Sequence, residues 1–201
     1  MASTIDKQGM VIDSRIRLQR YPGIEHGNLT AVHAIVVHQT DGSSAQAAFD
    51  SYLTGLNGAH FLIDKDGTIY QTASLNKRCY HVGRLIRSKC LTIDKKTCDS
   101  KSMAAILAMS WAAQINALNK HERAKNYPER YPINSDSIGI ELVGQHLDRQ
   151  TFESVTAEQN VSLQWLVSEL FQLFSLTSDD VYRHPEVSYK NPGEGKTAQW
   201  K

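Results

Sequence analysis

The stretch AVHAIVVHQTDG, residues 31–42, decides the fold expected for this chain. The run from Val32 to Val37 is apolar and β-branched except for His33, which predicts a buried central strand. The strand runs into His38, and the polar residues that follow end it. Ligands of α/β folds bind beyond the ends of such strands, although His38 alone fits a hydrogen-bonded core histidine equally well. Polar groups at the ends of other strands must therefore decide between the two interpretations.

Composition places the chain among ordinary globular proteins. It has 201 residues, 41% hydrophobic and 21% charged, which is enough for one sizeable core. The net charge of +1 provides no general attraction to nucleic acid. The sequence has no run of 18 apolar residues that would predict membrane insertion, and its N-terminus lacks the apolar core of a signal peptide. We therefore expect synthesis in the cytoplasm without signal-directed export.

The hydrophobic pattern predicts a poorly structured N-terminal arm over residues 1–30 and one α/β domain over residues 31–201. A basic insertion at about residues 84–102 interrupts this domain. No internal repeat or second domain is indicated. The predicted elements are a helix over 45–53, a hairpin with arms at 61–63 and 68–70, a core-facing helix over 103–118, a strand over 137–143, a helix from 156, and a strand over 180–184.

The three cysteines carry weak information about the compartment. Cys90 and Cys98 lie close together in the insertion, so we predict that they form a disulfide. Pairing of Cys79 with either of them stays open at this point. A disulfide here indicates, weakly, an oxidising destination for the protein.

Two further polar residues follow the pattern of His38. Glu141 lies in the strand SIGIELV beside Gly139, which leaves space next to the carboxylate. His184 ends the short strand that begins at Asp180. Two histidines with one more ligand and a free fourth position hold catalytic zinc, and a nearby carboxylate can act as base. The alternative for Glu141 is a solvent-facing residue on an edge strand.

Five segments follow one another over roughly residues 30–195: IVVHQTDG, GAHFLIDKDGTIYQ, YHVGR, NSDSIGIELVG and VYRHPEVSYKNPG. In these segments and their order the chain resembles the zinc-dependent N-acetylmuramoyl-L-alanine amidases, whose fold is shared with peptidoglycan recognition proteins. The resemblance implies an α/β fold of one domain, with a mixed central sheet flanked by helices on both sides and a peptidoglycan groove. It implies that His38 and His184 bind Zn²⁺ and that Glu141 is the general base.

The resemblance also points to residues around the groove. His60 and His81 match family positions near it, where they contact substrate or hold structure, with the structural role slightly favoured for His60. Lys190 lies in the loop where some relatives keep a catalytic lysine. It is our candidate to stabilise the oxyanion of the amide as water attacks.

The third zinc ligand is where the sequence departs from its family. Relatives usually place an aspartate or cysteine eight to ten residues after the second histidine, commonly just before Pro-Gly. Here that residue is Asn191, whose neutral amide is a poor zinc ligand. We predict Glu194, expecting its flanking glycines to give the loop freedom to swing the carboxylate inward. Asn191, water or a metal-poor site remain the alternatives.

The implied activity is hydrolysis of the amide between N-acetylmuramic acid and L-alanine of the stem peptide. A binding module that recognises peptidoglycan without cutting it is the competing function, and retention of the glutamate and both histidines favours the enzyme. The sequence leaves three biological roles open: a phage lysin, an interbacterial toxin with a cognate immunity protein, and an enzyme that recycles wall fragments in the cytoplasm. The first two act on the cell wall in the periplasm after non-classical delivery.

Overall fold

The strand that carries His38 lies inside a mixed six-stranded sheet. The computed structural model describes residues 3–93 and 95–201. The strands in these residues are β1 (Thr4–Ile5), β2 (Val11–Ile12), β3 (Ile16–Leu18), β4 (Glu25–Asn28), β5 (Ala34–Gln39), β6 (Phe61–Ile63), β7 (Ile69–Gln71), β8 (Lys77–Cys79), β9 (Ser137–Leu142) and β10 (Val181–Arg183). The helices are α1 (Ala45–Thr54), α2 (Lys89–Ile93), α3 (Ser100–Leu107), α4 (Trp111–Arg123), α5 (Ala157–Phe174) and α6 (His184–Val187).

The sheet has the strand order β10-β5-β9-β6-β7-β3. β10, β5, β9 and β6 run parallel to one another, and the predicted hairpin of β6 and β7 supplies the antiparallel pair. Because β5, β9 and β10 are parallel neighbours, their C-terminal ends meet at one edge of the sheet. The three predicted strand-end groups are therefore brought to the same place.

Helices cover both faces of the sheet, which confirms the predicted fold class. α5 begins at Thr156 with the predicted capping box, and its buried leucines pack against Ile35 and Ile138 on one face. On the opposite face, Phe49 and Tyr52 of α1 pack around Leu62. Among the residues that the structure describes, no helix combines the length and the apolar character needed to cross a bilayer.

The N-terminal segment is more ordered than predicted. β3 pairs in parallel with β7 and forms the edge of the central sheet, while β4 pairs with β8. The buried side chain of Gln71 accepts a hydrogen bond from the amide of Val11 and donates to the carbonyl of Gly9. The prediction of a poorly structured arm is therefore wrong for these residues. Strands of two to four residues are too short to produce a periodic sequence signal, which explains the error.

The helix predicted over residues 103–118 is two helices. α3 ends at Leu107 and α4 begins at Trp111, and Ser110 occupies the N-cap position of α4. The buried residues Met103, Ile106 and Leu118 form a small core of their own with Leu91 and Cys98. The predicted helical spacing is present, but the apolar face of these helices packs against the insertion rather than against the main sheet.

The insertion contains the predicted disulfide between Cys90 and Cys98. Among the described residues Cys79 has no disulfide partner; it is fully buried, and burial raises the pKa of its thiol. We expect one free thiol per chain in protein purified from an oxidising compartment, exposed only after denaturation. Thiol counting under denaturing, non-reducing conditions checks this, and three free thiols would contradict the pairing.

Candidate metal centre

Strand register places His38, Glu141 and His184 together. His38 on β5 lies directly opposite Glu141 on the parallel strand β9, so their side chains emerge on the same face. On the other side of β5, Arg183 pairs with Val37, which places His184 beside His38 at the same edge. The parallel pairing of three short strands is thus sufficient to assemble residues from distant parts of the sequence.

Three ligand atoms converge at this edge of the sheet. The Nδ1 atoms of His38 and His184 are 2.8 Å apart, and Oε1 of Glu194 lies 3.5 Å and 2.9 Å from them, respectively. A tetrahedral zinc ion with bonds of about 2.0–2.2 Å separates its ligand atoms by about 3.3 Å. All three residues are buried, and together they form a group able to hold a metal ion.

Hydrogen bonds to the far side of each imidazole fix which nitrogen has a free lone pair. Nε2 of His184 is 3.1 Å from the carbonyl of Val82 and must donate to it. Nε2 of His38 lies 3.1 Å from Nδ1 of His81, whose own Nε2 faces the carbonyl of Ser137 at 3.3 Å. His81 donates to Ser137 and so accepts from His38. Both Nδ1 atoms at the centre are then unprotonated, which is the form that binds a cation.

Charge in the cluster favours a neutral imidazole beside an ionised carboxylate. Burial and the proximity of His184 lower the pKa of His38 to about 4. Burial by itself would raise the pKa of Glu194, but the proximity of His184 and His38 outweighs it and lowers the pKa to about 2. Two neutral nitrogens and one carboxylate oxygen are a donor set suited to a divalent metal.

The glycines on either side of Glu194 restrict its loop, contrary to our expectation that they give it freedom. Gly195 has φ +66°, a conformation that favours glycine, and its amide donates to Oε1 of Gln39. A Cβ on Gly193 would lie 2.4 Å from the carbonyl oxygen of Gln150. The turn is therefore held against neighbouring backbone with the carboxylate already pointing inward.

Asn191, the alternative third ligand, uses its amide elsewhere. Its Nδ2 donates to the carbonyl of Asp148, and its Oδ1 accepts the amide hydrogen of Gly193. Both ends of the side chain therefore stabilise the loop that carries Glu194. This arrangement favours Glu194 over Asn191 as the third ligand.

Glu141 stands beside the three ligand atoms without joining them. Its Oε2 is buried and has no hydrogen-bond partner among the described residues. Burial, followed by the charge of Glu194, raises the pKa of Glu141 to about 8. The space that we predicted beside Gly139 is filled by the ring of His81, which a Cβ there would approach to 2.9 Å. Gly139 thus makes room for the imidazole that orients His38.

The centre opens into a cavity of about 910 Å³, within the range of ligand-binding clefts. His38, Glu141, His184 and Glu194 lie on its wall together with Lys190. The cavity thus joins the candidate metal ligands to a carboxylate of raised pKa and a lysine. Such a combination is typical of a hydrolytic site.

Residues 28–198 match the family described as N-acetylmuramoyl-L-alanine amidase. The chain belongs to this family. A comparison of this chain with curated proteins finds no match.

Solved structures share the amidase's fold. A crystal structure of an AmpD derivative is 18% identical, with a TM-score of 0.60 over 98% of this chain and 95% of that one. The catalytic domain of XlyA is 20% identical, with a TM-score of 0.51 over 87% of each chain. Peptidoglycan recognition protein SA of Drosophila is 13% identical, with a TM-score of 0.50 over 87% of this chain and 83% of that one.

The two histidines predicted near the groove occupy different environments in the amidase. His60 is fully buried; its Nε2 bonds to the carbonyl of Lys77, and its Nδ1 accepts from the amide of Gly139. It has no exposed surface for substrate, which favours the structural role. His81 lies on the cavity wall, but its two ring nitrogens form hydrogen bonds with His38 and with the carbonyl of Ser137. We infer that it orients the metal ligand.

This inference gives a testable result. His81→Phe should weaken zinc affinity by about 10- to 100-fold, the usual cost of losing a partner that orients a ligating histidine. Competition with a chromogenic chelator measures it, with His33→Phe as a control because His33 stacks on Tyr127 outside the cavity lining. Unchanged affinity with a normal unfolding temperature would show that His38 needs no such partner.

Sequence reasoning missed the groups that orient the ligands. The carbonyls of Val82 and Ser137 are backbone atoms, and no residue type marks them. The one available signal was the block YHVGR, since it carries both His81 and Val82 in a segment that the resemblance had already singled out.

Proposed function

We propose that this amidase is a zinc hydrolase that cuts the bond between N-acetylmuramic acid and L-alanine of the stem peptide. The observation that carries the proposal is the convergence of His38, His184 and Glu194 within 3.5 Å of one another. Beside them lies Glu141, whose Oε2 has no hydrogen-bond partner in the described part of the chain. Family membership supplies the substrate class, and the cluster supplies the chemistry.

His38, His184 and Glu194 would hold the zinc. When bound, zinc acts as a Lewis acid that polarises the substrate carbonyl and lowers the pKa of water to about 7. The orientation of the two imidazoles by Val82 and His81 means that little rearrangement of the chain is needed to bind it. The fourth position would face the cavity.

Glu141 would act as general base. Its pKa of about 8 in the metal-free site makes its carboxylate a stronger base than that of an ordinary glutamate, and the charge of bound zinc would favour the ionised form that accepts the proton. It takes a proton from the attacking water and delivers it to the nitrogen of the leaving L-alanine. Oε2 has no hydrogen-bond partner among the described residues, so it can accept the proton without losing an existing hydrogen bond.

Lys190 would stabilise the negative charge that develops on the carbonyl oxygen. It lines the same cavity, and its charge lowers the pKa of Glu141 against the larger effects of burial and Glu194. The ammonium is therefore close enough to influence the reacting groups. Lys190 would stabilise the carbonyl oxygen of the bound amide, and it would stabilise this oxygen more strongly in the transition state, where the negative charge is larger.

The experiment for the proposed function compares the zinc-loaded protein with its Glu141→Gln variant on purified peptidoglycan. Release of free stem peptides with an L-alanine N-terminus by the first and not the second is the expected result. A zinc-loaded protein that binds sacculi without releasing peptides would favour the binding module instead.

The site of action that we propose is the periplasm, as for a toxin or lysin. The support is the Cys90–Cys98 disulfide in the insertion, since such bonds persist outside the reducing cytoplasm. Expression with an added export signal should lyse a bacterial host, and expression without it should not. Absence of lysis in both compartments would favour a recycling enzyme, and rescue by a co-expressed inhibitor would support a cognate immunity protein.

A further inference from the structure

Two exposed aromatic residues that the proposed mechanism does not use lie next to the loop of Lys190, outside the lining of the cavity itself. Trp111 is 59% exposed and Tyr189 is 67% exposed, and their ring centroids are 5.7 Å apart in an edge-on arrangement. Single exposed aromatic residues are common, but two in contact beside a cleft point to a binding surface. We call this pair the aromatic rim.

Backbone connections join the aromatic rim to the wall of the catalytic cavity. Tyr189 immediately precedes Lys190, which lines the cavity, and follows Ser188, whose hydroxyl donates to the carbonyl of Arg84. Ser188 also forms a β-bridge with Leu85, two residues after the cavity-lining Gly83. Tyr189 therefore belongs to the chain segment that forms this wall, and Trp111, which lines a separate cavity of about 210 Å³, contacts the segment through Tyr189.

The insertion holds Trp111 in a fixed position relative to that wall. α4, which begins at Trp111, accepts hydrogen bonds through Asn116 from the guanidinium of Arg84 and through Asn119 from the amide of Leu85. The Cys90–Cys98 disulfide stabilises the same insertion. The rim is therefore part of the folded cleft rather than an exposed chain end.

The other aromatic pair at the cleft has a different geometry. His26 lies flat on Tyr80, with ring centroids 3.8 Å apart and an angle of 9° between the rings. One face of Tyr80 is therefore covered. The edge-on contact of Trp111 with Tyr189, together with their exposure, leaves ring faces open to solvent.

We propose that the aromatic rim is a subsite for the glycan strand of the substrate, an inference that rests on the proposed function. A pyranose ring has an apolar face of C–H groups and a polar edge, and it stacks on an open aromatic face while its hydroxyls stay in water. A cavity of about 910 Å³ holds about one drug-sized ligand, so a polymer must continue beyond its rim. The occupant is the sugar chain attached to the muramic acid at the metal centre.

The subsite predicts a loss that depends on substrate length. The double variant Trp111→Ala/Tyr189→Ala should cut intact sacculi about tenfold less efficiently, as expected for the loss of stacking contacts. Its kcat/KM on soluble N-acetylmuramoyl pentapeptide, which has one sugar, should stay within about twofold of the wild type. Replacement of both residues with phenylalanine should preserve activity on sacculi, because the rings are retained.

Val161→Ala is the matched control, since Val161 is 67% exposed on α5, outside the cavity lining. Unchanged cleavage of sacculi by the double alanine variant would overturn the inference. Equal losses on both substrates would also overturn it, because they would indicate a distorted catalytic loop.

A binding measurement separates the subsite from the proposed activity. Co-sedimentation with sacculi is compared in the inactive Glu141→Gln background, with and without the two alanine substitutions. About tenfold weaker sedimentation supports the subsite even if the wild type cuts neither substrate, a result that would refute only the proposed amidase activity. Equal sedimentation would refute the glycan subsite and leave the rim for a protein partner.

Discussion

Glu141→Gln should retain bound zinc and lose nearly all turnover. The amide keeps the shape of the side chain but cannot accept a proton, and loss of a general base typically costs 10²- to 10⁴-fold in rate. Zinc binding should survive because the three converging ligand atoms belong to His38, His184 and Glu194. Metal content and peptide release, measured on the same zinc-loaded preparation, check both halves of the prediction.

The same substitution should stabilise the protein after zinc is removed with a chelator. The folded-state pKa of Glu141 is raised from 4.5 to about 8, so the folded protein binds this proton more tightly than the unfolded chain does. The contribution of Glu141 to stability is therefore fully present below about pH 4.5 and is lost as pH rises toward 8. At pH 8 the loss is about 2–4 kcal/mol after allowance for partial exposure of the side chain.

Glutamine does not ionise, so the Glu141→Gln variant does not lose stability in this way as pH rises. Metal-free Glu141→Gln should therefore unfold about 5–10 °C higher than the wild type at pH 8, with a much smaller difference near pH 4.5. Thermal unfolding at the two pH values, with the exposed Glu158→Gln as control, measures it. A pH-independent difference, or near-normal turnover, would reassign Glu141 to a structural role.

Three of the candidate site residues were predictable because each lies at or next to the C-terminal end of a strand. His38 follows an apolar β-branched run, and parallel pairing of β5 with β9 and β10 brings Glu141 and His184 beside it. A strand of this kind is identifiable from sequence, and in a parallel sheet its end is also a position in space. The resemblance to the amidase family supplied the roles that sequence periodicity alone left open.

The rest depended on contacts that carry no sequence signal. Gly139 looked like open space beside Glu141, yet His81 from a distant segment fills it. The pairing of β3 with β7 likewise could not be predicted from the sequence, because β3 has only three residues. In each case the deciding partner lies far away in the chain, and its proximity is a result of folding.

Glu194→Ala should weaken zinc binding far more than Asn191→Ala does. Oε1 of Glu194 lies 2.9 Å and 3.5 Å from the two histidine Nδ1 atoms, and its pKa of about 2 keeps the carboxylate ionised at any working pH. Removal of an outer partner alone costs about 10- to 100-fold in metal affinity, so loss of a ligand should cost more than about 100-fold. Asn191→Ala should cost less than about threefold, because its amide bonds to the loop backbone.

Glu194→Gln tests whether the charge or the shape of this side chain matters. The amide fits the same space in the turn between Gly193 and Gly195, so the fold should be preserved while the anionic ligand is lost. In zinc titration against a chelator, Glu194→Gln should then lose about as much zinc affinity as Glu194→Ala. Thermal unfolding should show that both variants are folded. Wild-type affinity in both would exclude Glu194 as a ligand. In that event His38 and His184 would have to hold the metal with water, because the amide of Asn191 already bonds to the backbone at both ends.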